Sequence, residues 1–237
     1  MKAADKLGVE SFVLSSLPLS NSEQRLQELA ALTPNISLYN GSSLTWESIR
    51  SEIERLQSCG VNIIACLSVW EGYRDLMSLA NELLGREDIS IDNVRLLRDK
   101  YLLRKQLIQN GLSNVFADIL DHTNFENYKN SHKKYFVKPR VGIASYGAFS
   151  LGENDTWEKI ESIKNEILAD KEYRSIFTSE LDFILEEYIE GKEYSFEIIA
   201  LEGIPYIIGI HEKIDLQESH STVLEAACVS TPISLSR

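Results

Sequence analysis

Residues 133–152 read KKYFVKPRVGIASYGAFSLG. The first half is a short strand pattern with a basic exit, Lys138-Pro139-Arg140. The second half is loop-like, with glycines at 142, 147 and 152. A polyphosphate needs this kind of surrounding: a pre-positioned cation, and backbone N–H groups close enough to meet phosphate oxygens. Gly142 and Gly147 tolerate backbone angles closed to other residues. Ser145 adds a hydroxyl donor. Alone, the stretch also fits a plain strand exit and surface turn, and it is not a G-x-x-x-x-G-K-[ST] phosphate loop.

Two flanking segments change its meaning. Upstream, Asp99-Lys100-Tyr-Leu-Leu-Arg104 falls within a Leu-, Arg- and Lys-rich helical pattern over 95–110, stopped by Asn110-Gly111. Downstream, residues 184–195 read ILEEYIEGKEYS. The strand end Leu185-Glu186-Glu187-Tyr188-Ile189 offers an apolar slot plus a backbone donor and acceptor, which suits an adenine edge. Glu193, after the Gly191 turn, could accept ribose hydroxyls. Each piece by itself reads as an ordinary surface feature. The three in this order and spacing describe a nucleotide cleft.

Around this centre the patterns are regular. Residues 156–169 are helical, with Trp157, Ile160, Ile163 and Ile167 on one face. Residues 193–201 and 204–210 alternate and are joined by Glu202-Gly203, which predicts a β-hairpin with a two-residue turn. After Lys213 the pattern weakens towards a Ser/Thr-rich end. The N-terminal part alternates between strand and helix: strands at Val9–Leu14 (ending near Pro18), 36–39 and 61–69, and helices at 22–32, 45–58 and 71–84. The run VNIIACLSV at 61–69 is apolar on both faces, as in an interior parallel strand. A doubly wound parallel sheet over residues 1–92 is expected, with 86–93 as a polar linker. No G-x-G-x-x-G follows the first strand, which disfavours a generic dinucleotide-binding domain.

The chain has 237 residues and a net charge of −12. That length suits one large or two small domains. The acidic balance argues against nucleic acid as a partner, because a phosphate backbone needs a positive footprint. The three cysteines match no zinc spacing and suit reduced thiols. The start MKAADKLGVE lacks a signal-peptide core, and no apolar run is long enough to span a membrane. A cytoplasmic location is expected.

On the DKxxxR helix, the VKP strand with its glycine loop, and the EEYIEGKEYS hinge, the sequence resembles the ATP-grasp superfamily, in its carboxylate–amine ligase group. The resemblance spans about residues 60–215. It implies an α/β fold: a doubly wound parallel-sheet domain (1–92), then an incomplete ATP-grasp α+β domain (93–237). It implies ATP and Mg2+, and small-molecule carboxylate and amine substrates joined through an acyl phosphate with release of ADP and phosphate. Lys100 and Lys138 would contact the phosphates, and 142–147 would close over them. Glu186 and Glu187 would frame the adenine amino group, with the Tyr188-Ile189 backbone beside it and the Ile189 N–H donating. Glu193 would hold the ribose, and Lys213 would be a third phosphate contact. Glu218 and His220 lie where some relatives place acceptor-substrate contacts. No catalytic residue is implied.

One part of the pattern has no counterpart. The family's metal-binding Glu and Glu-x-Asn elements are expected after the hairpin, and nothing matches them. Truncation or a fragment is therefore the favoured reading, with ligase activity expected of a completed chain. The alternative is a non-catalytic nucleotide-binding or interaction module. The apolar hairpin would lack sheet neighbours, and its exposed surface makes a homodimer a candidate.

Overall fold

The structure is a computed structural model that describes residues 1–16, 22–170, 173–178, 180–220 and 222–230. The expected chain turn near Pro18 and the Ser/Thr-rich end beyond Ser230 lie outside these residues. The chain divides into two units. The first comprises Met1–Asp99 with Leu168–Thr178, and the second comprises Lys100–Ile167 with Ser179–Arg237.

The first unit runs α1 (Lys2–Lys6), β1 (Val13–Ser16), α2 (Ser22–Ala30), β2 (Ile36–Tyr39), α3 (Trp46–Ser58), α4 (Arg74–Leu83) and α5 (Ile91–Arg98). β1 and β2 pair in parallel, with Val13 opposite Ile36 and Ser16 opposite Tyr39. The first strand is thus displaced from the expected Val9–Leu14. α3 begins at a capping box: Thr45 accepts from the Ser48 N–H, and the Ser48 hydroxyl accepts from the Thr45 N–H. Its residues Ile49 and Ile53 bury against Ala80 of α4, with Leu14 and Trp46 packed alongside.

Two expectations fail here. Residues 61–69 join no ladder; Val61–Ser68 has neither helix, turn nor bend. α4 holds the segment instead. The Asn81 amide donates to the Cys66 carbonyl at 3.0 Å and accepts from the Cys66 N–H at 2.8 Å. This side chain supplies what a neighbouring strand would. The second failure is the polar linker at 86–93. Ser90 caps a helix that starts at Ile91, and the chain breaks at Asp99, which is extended (φ −84°, ψ 98°) and buried. The single helix expected over 95–110 is therefore two.

The second unit contains α6 (Lys100–Gln109), β3 (Ala117–Leu120), α7 (Phe125–Lys129), β4 (Tyr135–Pro139), β5 (Phe149–Ser150), α8 (Trp157–Ala169), β6 (Phe183–Glu187), β7 (Glu193–Leu201), β8 (Ile204–Glu218) and β9 (Val223–Ser230). Four strands form an antiparallel sheet in the order β3-β6-β4-β5. Its central strand β6 is buried on both faces at Phe183–Glu186, which explains its uninterrupted apolar run. α8 buries Ile160, Ile163 and Ile167 completely. Its Lys159 ammonium lies 3.8 Å from the Phe149 ring centre, so the helix sits against the β4–β5 edge.

The second sheet has the order β7-β8-β9. The hairpin turn uses Glu202 (φ 51°) and Gly203 (φ 77°), both in the left-handed region that a two-residue hairpin turn requires. The hairpin does have a sheet neighbour. β8 continues to Glu218 and pairs with β9, a strand absent from the sequence reading. Its alternation there is masked by Asp215, Gln217 and Glu218. Apolar residues such as Phe196, Ile198, Ile199 and Ile208 remain more than half exposed.

Burial separates the cost of truncation in these two sheets. Ile163→Ala removes a fully buried side chain and should destabilise the fold by about 2–5 kcal/mol, whereas Ile198→Ala should cost under about 0.5 kcal/mol. Urea denaturation of the two variants measures the difference, and equal costs would contradict the assignment of the core to α8.

Candidate functional site

The site begins with the register of β4 and β6. Phe136 lies opposite Glu186, and Lys138 lies opposite Ile184. Lys138 and Glu186 are therefore diagonal neighbours, and alternation puts both on one face of the sheet. Val137, Tyr135 and Pro139 take the other face and are buried. The Lys138 ammonium meets Glu186 Oε2 in a close ion pair. α6 supplies the second cation: Arg104 Nε donates to Glu186 Oε1 at 2.9 Å, while its Nη1 donates to Ser113 Oγ at 3.0 Å.

Glu186 is 6% exposed. Burial pushes its carboxyl pKa upward, but the charges and hydrogen bonds of Lys138 and Arg104 outweigh this and hold it below the ordinary value of 4.5. The group is an ionised carboxylate held between two cations. Arg104 was part of the DKxxxR motif but received no role from sequence. The available signal was its spacing of four residues from Lys100, which puts both on one face of α6.

Lys100 opens α6, and its backbone N–H donates to the Arg140 carbonyl at 3.0 Å. Its ammonium donates to the Gly142 carbonyl at 3.0 Å. The first lysine is thus tied to the glycine loop that follows the second. In that loop the left-handed positions are Ala144 (φ 56°), Ser145 (φ 54°) and Gly147 (φ 78°). Gly142 is not among them, so its expected conformational role passes to Ala144 and Ser145. Gly147 is doubly constrained: a Cβ there would stand 2.9 Å from Pro139 Cγ and 3.3 Å from Ile163 Cγ2.

Beyond β6 the backbone separates into used and unused donors. The Glu187 N–H donates to the Phe116 carbonyl and the Tyr188 N–H to the Lys134 carbonyl. The Ile189 N–H has no hydrogen-bond partner among the described residues. The Glu187 side chain points to the surface, where Lys133 pairs with it at 3.1 Å. Glu193 and Lys213 face each other across β7 and β8 and form an ion pair at 2.8 Å. Lys213 also pairs with Glu225 of β9 at 3.2 Å. The hydrogen bond that Lys213 donates to Glu193, with Glu225 assisting, raises the Lys213 pKa despite some burial. Glu218 accepts from both the backbone N–H and the hydroxyl of Ser150 on β5. His220 is exposed.

Residues 132–236 match the family model described as the ATP-grasp domain. A search of curated proteins returns no match. Among solved structures, the L-amino acid ligase of Bacillus licheniformis is similar over 90% of this chain and 46% of its own, with TM-score 0.60 and 16% identity. The N5-carboxyaminoimidazole synthetase of Staphylococcus aureus, solved with ADP, is similar over 94% of this chain and 52% of its own, with TM-score 0.63 and 14% identity. The biotin carboxylase domain of 2-oxoglutarate carboxylase from Hydrogenobacter thermophilus, a dimer solved with MgADP, ADP and bicarbonate, is similar over 90% and 46%, with TM-score 0.63 and 15% identity. At these identities the likeness is one of fold, and the chain spans about half the length of each structure. No helix among the described residues is long and apolar enough to cross a membrane.

Glu186, Glu193 and Glu218 are engaged by other groups in this structure, which leaves none of these three open to a magnesium ion. Magnesium takes hard oxygen ligands, commonly one or two carboxylates beside phosphate oxygens. Glu186 is committed to Lys138 and Arg104, Glu193 to Lys213, and Glu218 to Ser150. Among the described residues no group of three or more His, Cys, Asp or Glu side chains could hold a metal.

The ion cluster has a signed pH consequence. Because the native pKa of Glu186 lies below 4.5, its stabilisation is fully present above that value and is lost as pH falls through the lower native value. Glu186→Gln should cost about 3 kcal/mol at neutral pH, since it leaves two cations without their anion. It should also flatten the loss of stability as pH falls below about 4.5. Denaturant titrations of both proteins at several pH values test this, and parallel pH curves would exclude Glu186 as a titrating contributor.

Proposed function

We propose that this chain forms the ATP-binding part of a ligase that joins a carboxylate to an amine. The observation that carries the proposal is the buried Glu186 carboxylate, held by Lys138 and Arg104 one residue before the end of β6, with an unengaged backbone donor, Ile189 N–H, just beyond the strand. A strand exit with a fixed acceptor, a fixed cation and an unused N–H presents a complementary edge to adenine. The fold of the similar structures, two of them solved with ADP, supports the same reading.

In this reading Glu186 and Glu187 frame the adenine amino group, and Tyr188-Ile189 supplies the backbone contact. Lys100 and Lys138 carry positive charge to the phosphates, and the loop 142–147 closes over them with Ser145 as a hydroxyl donor. Glu193 accepts from the ribose, and Lys213 adds a third cation, both exchanging their mutual ion pair for the nucleotide. A substrate carboxylate oxygen attacks the γ-phosphorus, the bond to the ADP oxygen breaks, and an acyl phosphate forms. An amine then attacks the acyl carbon, phosphate leaves, and the amine nitrogen gives up a proton. The protein's share is positioning and charge stabilisation rather than covalent catalysis. Glu218 and His220 are the candidate acceptor-substrate contacts, and Glu218 would have to release Ser150 to serve.

Calorimetric titration of the purified chain with ATP, with and without magnesium, tests the cleft. Lys138→Ala should weaken binding by about tenfold or more, as expected for loss of a charged contact worth at least ~1.4 kcal/mol. Lys133→Ala, which touches only the exposed Glu187, should change affinity less than about twofold. Equal losses in the two variants would overturn the assignment.

A further inference from the structure

The Glu186 carboxylate has two oxygens, and different elements hold them. Arg104 Nε on α6 donates to Oε1 at 2.9 Å, and the Lys138 ammonium on β4 meets Oε2. The two cations are not equivalent. Arg104 Nη1 also donates to Ser113 Oγ at 3.0 Å, and that hydroxyl accepts from the Val115 N–H at 3.2 Å. The guanidinium, a planar fork with a permanent charge, is thus fixed at two points. Lys138 meets the carboxylate through one ammonium on a flexible four-carbon stem. Directly opposite Glu186 stand Ala117 of β3 and Phe136 of β4, both uncharged. Among the described residues, the charged groups that act on Glu186 are Lys138 and Arg104.

Nucleotide binding as read above makes two demands on this cluster. It sends Lys138 to the phosphates, and it brings the adenine amino group to Glu186. An ammonium that turns to a phosphate withdraws its charge from Oε2. The amino group that replaces it supplies a hydrogen bond but no charge. A carboxylate that is 6% exposed then either keeps another cation or takes up a proton. A neutral carboxyl is the poorer acceptor, because a hydrogen bond to an ionised oxygen is roughly twice as strong.

We propose that Arg104 is a positioning residue of the nucleotide site: it stays on Oε1 as the lasting counter-charge of Glu186, which releases Lys138 from Oε2 to the phosphates and keeps the carboxylate ionised for the adenine amino group. The inference rests on the nucleotide reading and adds to it which cation moves and which stays. Arg104 acts through Glu186 and touches no part of the nucleotide. The sign of its effect follows from charge. In Arg104→Gln the amide still donates a hydrogen bond but leaves Lys138 as the only cation on Glu186. When Lys138 turns to a phosphate, the buried carboxylate binds a proton. The complex of this variant then holds more protons than the free variant, so its ATP affinity rises as pH falls.

Calorimetry of the full 237-residue chain with ATP, in buffers of different ionisation enthalpy, reads affinity and proton uptake together. Arg104→Gln should bind ATP about tenfold more weakly than the unmodified chain near pH 8 and approach it towards about pH 5.5. It should also take up as much as about one extra proton per ATP at the acid end. Comparing the two proteins at each pH removes the protons that ATP itself exchanges. Arg104→Lys restores the charge and should abolish the extra uptake. A Glu186→Gln background has no carboxylate to balance, so adding Arg104→Gln there should change affinity less than about twofold. This second comparison carries the test even where Arg104→Gln alone does not fold. A loss in Arg104→Gln that is the same at every pH, with no extra proton, would make Arg104 merely structural and overturn the proposal. So would a tenfold loss in the Glu186→Gln background. Either result leaves the nucleotide reading standing, whereas an unmodified chain that binds no ATP overturns both.

Discussion

A carboxylate that is 6% exposed must be paired, and in this protein the pairing of Glu186 determines where three elements lie. An unpaired buried charge costs several kcal/mol, so Glu186 on β6 requires cations from outside its own strand. Lys138 comes from β4 and Arg104 from α6. β6 is the central strand of its sheet, with β3 on one side and β4 on the other. Fixing its one buried charge therefore fixes the helix against the sheet edge as well as the register of β4. In the proposed function one of the two groups that neutralise Glu186, Lys138, also meets the nucleotide.

The glycine loop depends on the same strand. Pro139 ends β4, and its ring lies where any side chain at residue 147 would have to be. Lys100 reaches across to the Gly142 carbonyl. The loop is thus tethered at its start by a lysine from α6 and pressed at its end against Pro139 and Ile163. Ala144 and Ser145, both in left-handed backbone, sit between these anchors. Such backbone in non-glycine residues persists only where the surroundings over-determine it, and it is concentrated at ligand-binding sites.

The ionic pattern of the second sheet differs in kind. Lys213 is shared between Glu193 and Glu225, across two neighbouring strands, at positions that solvent still reaches. Such partly exposed pairs contribute little to stability and exchange partners easily. The Glu186 cluster is structural first, whereas the Glu193–Lys213–Glu225 group is able to reorganise around a ligand. Sequence reading assigned Glu193 and Lys213 separate roles. It had no means of showing that they neutralise each other, since their contact depends on the hairpin register.

Periodicity made much of the fold legible. The helix at 45–58, the strand at 36–39, the hairpin with its Glu202-Gly203 turn and the apolar face of α8 all follow from local spacing and turn chemistry, which act over a few residues. The lysines, the glycine loop and the hinge stood out because they lie at the separations of the pattern the sequence resembles. Other features were not. The run 61–69 looks like an interior strand, but a strand exists only through its neighbours, and here Asn81 takes the place of one. Residues 95–110 look like one helix, but Asp99 is buried in extended conformation and breaks it. β9 was hidden because its pairing partner is polar at alternate positions. The sequence by itself determined the composition of the elements and the identity of the charged groups, because these rest on local backbone preference and chemistry. Only the tertiary structure decided which charges share a partner, which strand edges stay open and where Arg104 acts, because those outcomes depend on register and on residues brought together from distant parts of the chain.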